Sequence, residues 1–164
     1  MTGEIRSGLG FDLHPLVAGR PLILGGVTVP APRGLSGHSD ADVLTHAVCE
    51  ALLGALALGD LGRLFPDTDP RYAGISSLEL LRAVIEVVAA TGGSPVNVDA
   101  TVVCQAPRLS GFLDQMAARL AETMKLAPGR VSVKAKSPEG LGLIGREEGI
   151  AAMAVVAVQV KSTS

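Results

Sequence analysis

Apolar and polar positions along the chain follow two rhythms, one of period two and one of helical period. Residues 4–11 alternate weakly and lead into GLGFDLHPL, residues 8–16, where Asp12 and His14 stand two apart in an otherwise apolar run. In an extended strand such a pair shares one face while Phe11 and Leu13 share the other. PLILGGVTVP then reads as two short strands about a tight turn at Gly25-Gly26. APRGLSGHSD is a loop whose end, Ser39 and Asp40, offers N-cap side chains. Beyond it Val43, Leu44, Ala47, Val48, Ala51, Leu52 and Ala55 recur at helical spacing, which predicts a helix from Asp40 to Leu58, stopped by Gly59.

GDLGRLFPDTDP is dense in glycine, aspartate and proline and is expected to be irregular. A second helix, SSLELLRAVIEVVAATGG, closes on paired glycines, and VNVDATVVCQA is a β-branched strand halted by Pro107. A third helix, Leu109 to Lys125, leads to the strand VSVKAKS, then a glycine-rich loop, then GIAAMAVVAVQV. That last strand is apolar on both faces, so residues 149–160, Ala154 and Val156 included, are expected to be covered on both sides. Helices of the same chain or a second subunit would serve. With no long linker, repeat or low-complexity stretch, residues 1–164 are expected to form a single α/β (α+β) domain, a mixed β-sheet with helices on one face.

Composition narrows the function. A chain of 164 residues that is 48% apolar can build its core without disulfides or a structural metal, so a metal bound here need not be structural. A net charge of −2 and an aromatic content of 2% argue against a nucleic-acid groove made of basic patches and stacking platforms. The start, MTGEIRSG, lacks the apolar region of a signal peptide, and no apolar run reaches the roughly 18 residues that span a bilayer. A cytoplasmic protein without a membrane partner is expected. Cys49 and Cys104 lie far apart in apolar segments and read as buried thiols.

The candidate chemistry centres on histidine. In the long helix Asp42, His46 and Glu50 recur at four-residue spacing on one polar stripe. Asp12, His14 and His46 together make a two-histidine, one-carboxylate set that leaves a tetrahedral Zn²⁺ one open position, as catalytic sites do. Two imidazoles favour zinc over magnesium. Glu50 is expected to orient the His46 ring from behind. His38-Ser39-Asp40, at the predicted helix start, suits an anion; Asp60, Asp67 and Asp69 could bind polyol hydroxyls or form a solvated acidic turn. In SPEGLGLIGREEG, Ser137 supplies a hydroxyl, and Glu139 is either a ligand for a second hard cation, Mg²⁺ or Mn²⁺, or an exposed turn residue. The usual nucleotide-binding glycine loops are missing from the sequence.

From Ile5 to about Lys161 the chain resembles the family of 2-C-methyl-D-erythritol 2,4-cyclodiphosphate synthases, which cyclise a CDP-linked methylerythritol phosphate in the non-mevalonate isoprenoid pathway and release CMP. The resemblance is carried by GLGFDLHPL, LSGHSDADVLTHAVCEALLGALALGDLGRLFPDTDP, CQAPRL and GREEGIA. It implies Asp12, His14 and His46 as zinc ligands, His38 and Ser39 at the substrate phosphate, and Asp60, Leu61 and Gly62 with Phe65, Pro66, Asp67, Thr68 and Asp69 around the methylerythritol. It further implies Cys104, Gln105, Ala106, Pro107, Arg108, Leu109 and Ser110 around cytosine, and Lys136, Ser137, Pro138 and Glu139 at the diphosphate. Lys136 stands where many members carry threonine, and Leu143 where many carry phenylalanine. The resemblance also implies a homotrimer built around the sheets, with sites between subunits and an axial cavity for an isoprenoid diphosphate near Phe11, Leu143, Arg146 and Glu148.

The reaction so implied is attack by the substrate's own 2-phosphate on the β-phosphorus of its CDP group. His38 and Ser137 are then expected to stabilise the transition state, with cations drawing charge from the phosphates. Two other readings use the same residues: a zinc phosphohydrolase in which the triad activates water, and a non-catalytic trimer binding isoprenoid phosphates at Arg146 and Glu148.

Overall fold

The computed structural model describes residues 3–161. Its elements in chain order are β1 (Glu4–Ala18), β2 (Leu22–Leu24), β3 (Val27–Val29), β4 (Arg33–Leu35), α1 (Val43–Ala55), α2 (Leu61–Leu64), α3 (Ser77–Ala90), β5 (Gly93–Val103), α4 (Leu113–Met124), β6 (Val131–Lys136), α5 (Gly142–Gly145) and β7 (Gly149–Val160). Five strands form one sheet in the order β4-β1-β7-β5-β6, antiparallel except for the parallel pair of β5 and β6. The mixed sheet is therefore as expected. Its centre is β7, which pairs with β1 from Glu4↔Val160 to Pro15↔Gly149 and with β5 on its other edge.

Strand alternation divides the sheet into a covered and a bare face. Val98, Ala100 and Val102 of β5 and Ala152, Ala154, Val156 and Val158 of β7 are buried, in one core with Ala47, Val48, Ala51 and Leu52 of α1 and Leu81, Val84 and Val88 of α3. The other face carries Ile5, Leu9, Phe11 and Leu13 of β1 beside Met153 and Val155 of β7, all exposed within the chain. Ala154 and Val156 thus point into their own subunit's core. The residues of β7 that another subunit could cover are instead Met153 and Val155, because successive side chains of a strand take opposite faces.

The hairpin of β2 and β3 turns at Gly25 and Gly26, with φ of 57° and 71°, where a glycine pair is favoured. Four expectations need correction. Helix α1 begins at Val43, not Asp40: its cap is Asp42, whose carboxylate accepts from Thr45 N, and Ala41 sits at φ 58°, outside helical geometry. Residues 33–35, expected as loop, form β4 on the edge of β1. The GDLGRLFPDTDP segment contains the single-turn helix α2, capped by Asp60, and a 3₁₀ turn at Pro70–Tyr72, capped by Asp69. In the glycine-rich loop, residues 142–145 make the short helix α5. Aspartates that look like loop chemistry in the sequence are spent here on backbone N–H groups.

Candidate metal centre and its clefts

The site begins with two glycines. Gly8 and Gly10 share a face of β1 with Asp12 and His14. A Cβ on Gly8 would stand 1.9 Å from the Ala51 carbonyl oxygen, and one on Gly10 1.8 Å from that of Ala47, so helix α1 lies directly on bare strand backbone. That close approach carries His46, one residue before Ala47, to Asp12 and His14 at the strand's other end.

Asp12 Oδ2 lies 2.9 Å from His14 Nε2 and 2.9 Å from His46 Nδ1, and the two nitrogens are 3.2 Å apart. His14 Nδ1 donates to the Ser36 carbonyl at 3.0 Å, which leaves the lone pair of a neutral ring on Nε2, facing the carboxylate. Two acceptors 2.9 Å apart repel unless a cation sits between them. In the metal-free chain a proton takes that part. Burial opposes the His14 imidazolium, but the hydrogen bond and charge of Asp12, helped by the Ser36 carbonyl, outweigh it and raise the His14 pKa. Burial likewise opposes the Asp12 carboxylate, but the bonds and charges of His14 and His46 hold it well below the usual range. A tetrahedral zinc with donors at 2.0–2.1 Å separates them by roughly 3.3 Å, so this triangle fits such an ion after a small expansion.

Behind the triad the expected role of Glu50 is not found. Its carboxylate accepts from Leu61 N at 3.0 Å and so anchors the start of α2, while His46 Nε2 meets the hydroxyls of Ser77 at 2.8 Å and Ser39 at 3.1 Å. Helical spacing brought Glu50 to the right side of α1, but Ser77 comes from a different helix, which no local pattern reveals. Asp42 is also absent from the polar stripe: fully buried, it accepts from Gly25 N at 2.9 Å and Gly26 N at 2.7 Å, tying the hairpin turn to the start of α1. Arg20 carries no signal in the local pattern either. It donates to the carbonyls of Gly37 at 2.9 Å and Ser39 at 2.8 Å, fixing the loop that carries His38.

A cleft of about 370 Å³ opens over the triad, lined from the sequence-derived candidates by His38, Ser39, Leu61, Gly62, Phe65 and Asp67, and in addition by Gly37, Glu50, Tyr72 and Leu80. His38 Nε2 donates to the Asp69 carbonyl at 3.0 Å. Asp60 caps α2, and Asp69 pairs with Arg71 at 2.6 Å; neither lines this cleft, nor do Pro66 and Thr68.

A second cleft, of about 600 Å³, is lined by Cys104, Gln105, Pro107, Arg108, Leu109, Ser110, Lys136, Ser137 and Glu139 together with Ala135. The residues expected at cytosine and diphosphate therefore meet, Ala106 and Pro138 apart. Here Glu139 N donates to Ser137 Oγ at 3.0 Å, which leaves the hydroxyl proton of Ser137 free, and Gly140 N donates to Gln105 Oε1 at 3.0 Å, which joins the two loops. Burial raises the Cys104 thiol to about 11, so it stays protonated and donates to the Ala106 carbonyl at 3.1 Å. Both clefts lie at the same end of the sheet, where Asp12 is level with Ala152 and Ala152 with Val102, yet they share no lining residue. Leu143 and Arg146 line neither; Arg146 Nε donates to Glu148 Oε1 at 2.6 Å.

A model of the YgbB family matches residues 5–159. The 2-C-methyl-D-erythritol 2,4-cyclodiphosphate synthase of Syntrophobacter fumaroxidans is 57% identical over 152 residues, which are 93% of this chain and 96% of that one. The structure of the bifunctional IspDF from Campylobacter jejuni superposes with a TM-score of 0.94 at 41% identity; the match covers 98% of this chain and 44% of that one, so this chain spans less than half its length. The bound CDP form of a 2C-methyl-D-erythritol-2,4-cyclodiphosphate synthase superposes with a TM-score of 0.86 at 38% identity, over 93% of this chain and 99% of that one.

Proposed function

The chain belongs to the YgbB family, and from that premise we propose that it is a metal-dependent cyclodiphosphate synthase, formally a phosphorus–oxygen lyase. It converts 4-CDP-2-C-methyl-D-erythritol 2-phosphate to 2-C-methyl-D-erythritol 2,4-cyclodiphosphate and CMP, a step in isoprenoid precursor synthesis in the cytoplasm. The observation that carries this reading is the convergence of Asp12, His14 and His46 at the floor of a cleft, with acceptor atoms facing one another.

An oxygen of the substrate's 2-phosphate forms a bond to the β-phosphorus, and the bond from that phosphorus to the α-phosphate oxygen breaks, so the electron pair leaves with CMP. The nucleophile is already an anion and needs no strong base. The barrier lies in bringing two anionic phosphates together, and the remedy is positioning and positive charge. Asp12, His14 and His46 hold Zn²⁺, and Glu139 a Mg²⁺ or Mn²⁺ ion; bound there, the ions supply Lewis-acid charge to the phosphate oxygens. His38 and Ser39 orient the 2-phosphate, and the Ser137 hydroxyl donates a hydrogen bond to the transferring phosphoryl group and keeps its proton. Leu61, Gly62, Phe65 and Asp67 enclose the methylerythritol, and the 104–110 turn reads cytosine.

The assembly is a homotrimer. Its support is twofold: the apolar face of β1 and β7 is larger than scattered surface leucines explain, and the two clefts share no residue within one chain, so the cleft of one copy would complete that of its neighbour. The axial isoprenoid diphosphate site, if formed, would draw on Phe11, Leu143, Arg146 and Glu148.

The test separates cyclase from hydrolase. In ¹⁸O-labelled water the reaction should give CMP and a cyclic diphosphate, both unlabelled, because every oxygen of the new bridge comes from the substrate. Label in the organic phosphate, or a linear product, would establish the phosphohydrolase instead.

A further inference from the structure

We propose that Asp40 is a positioning residue for the metal centre: acting through Ser77, it commits a proton to His46 Nε2, which leaves Nδ1, facing Asp12 and His14, as the atom that ligates. This rests on the metal-dependent reading above.

The argument is one of donor and acceptor accounting. Ser77, the first residue of α3, is fully buried, and both its donors go to Asp40: its N–H to Oδ2 at 3.0 Å, its hydroxyl to Oδ1. A carboxylate has no proton to offer. The Ser77 hydroxyl proton is therefore committed to Asp40, and its oxygen can only accept from anything else. His46 Nε2, 2.8 Å away, must then be the donor. An imidazole with its proton on Nε2 can ligate only through Nδ1, the atom that lies 2.9 Å from Asp12 Oδ2; without an ion that carboxylate draws a proton to Nδ1 as well, and zinc takes that proton's place. The second hydroxyl cannot set this choice. Ser39 Oγ accepts from Ala41 N at 3.1 Å, and its proton is free to point toward or away from His46.

Asp40 is itself held in place by backbone. Its N–H donates to the Ile75 carbonyl at 3.0 Å, and Asp42 N donates to its Oδ1 at 3.2 Å. The positive φ of Ala41 is what folds the chain back so that Asp40 can face α3 while Asp42 caps α1. One loop thus links the starts of two helices and sets the protonation pattern of a ligand on one of them.

Asp40→Asn keeps the shape and inverts the logic. Either amide orientation takes the acceptor from one backbone donor, Ser77 N or Asp42 N; with the carbonyl oxygen kept by Ser77 N, the closer of the two, the amide NH₂ faces Ser77 Oγ and donates to it. The Ser77 proton is then driven toward His46 Nε2, which favours the tautomer with its proton on Nδ1, where the metal must bind. Metal-free protein labelled with ¹⁵N-histidine, at alkaline pH, reports the tautomer in long-range proton–nitrogen spectra, and zinc affinity is read by chelator competition. Wild type should show a protonated Nε2. Asp40→Asn should move His46 toward the Nδ1–H form and weaken zinc binding about 10–100-fold, the range for loss of a partner behind a metal-bound histidine. Ser77→Ala should weaken it similarly, and Ser77→Thr, which keeps the hydroxyl, should restore it to near wild type. A folded Asp40→Asn protein with the Nε2–H tautomer and unchanged zinc affinity overturns the proposal, as does Ser77→Ala with unchanged affinity. Wild type that shows a protonated Nε2 but takes up no zinc overturns the metal-dependent reading, and the retained proton identifies that as the failure.

Discussion

Strand β1 has two faces with opposite chemistry. Its even positions, Gly8, Gly10, Asp12 and His14, are first empty and then ligating: two glycines admit α1 onto the backbone, and the next two side chains meet the histidine that α1 delivers. Its odd positions, Ile5, Leu9, Phe11 and Leu13, are apolar and bare, with Leu9 69% and Phe11 57% exposed. The first face is completed by the chain itself. The second is the face that the proposed trimer would cover, so one strand would serve the site on one side and assembly on the other, and period two keeps the tasks apart.

That division is most severely tested at Gly10. Gly10→Val would thrust a branched side chain into the Ala47 carbonyl, backbone that cannot yield locally. A loss of stability above about 4 kcal/mol, in the range of core disruption, is expected, with metal binding and assembly lost together. Denaturant unfolding measures it; a stable variant with normal metal content would show that α1 does not rest on the strand as described.

Leu9→Asp, on the opposite face and one residue away, should do the reverse. Leu9 contributes little to its own chain's core, so the subunit should remain folded and metal-loaded while an unpaired charge dissolves the assembly. Light scattering would then fall from trimer to monomer mass. Unchanged mass would remove the bare face from the interface.

His46→Ala, on the even side, is milder in structure and sharper in chemistry. Retained zinc should drop from about one ion per chain to none while circular dichroism stays nearly unchanged, since the core is formed by other residues. Full zinc retention by elemental analysis would discard the triad.

The smallest effect is on pH. In the folded, metal-free chain Asp12 raises the His14 pKa above the ordinary 6.5. A base with a raised folded pKa contributes stability that is fully present below 6.5 and is lost as pH rises through the raised value. Tm in chelator should therefore fall across that window, and in zinc, which displaces the proton, the fall should be absent. Equal profiles with and without zinc would show that proton and metal do not compete.

Much of this was legible in local pattern. The D-x-H pair on a strand, the Gly-Gly hairpin turn, the long helix bearing His46 and the alternation of helices with strands each follow from spacings that one element fixes by itself. The errors share a cause. Glu50 was a sound choice for the partner of His46 on helical spacing, but the contact is made by Ser77 on α3, and the carboxylate went to Leu61 N instead. Asp60, Asp69 and Asp42 also serve as helix caps, because an orphan N–H close in sequence readily claims an aspartate.

By itself, then, the sequence determined which residue types could hold a metal, which faces of which elements they occupy, and the order of elements in a mixed sheet. Only the tertiary structure decided which of them meet. Helical and strand periods specify direction within one element, but the distance between His46 and Asp12 depends on how closely α1 approaches β1, which two missing side chains set. The partner of His46 depends on where α3 begins, which the bond from Ser77 to Asp40 sets across 37 residues of chain. Neither quantity is encoded in any one segment, since both are properties of two segments packed together.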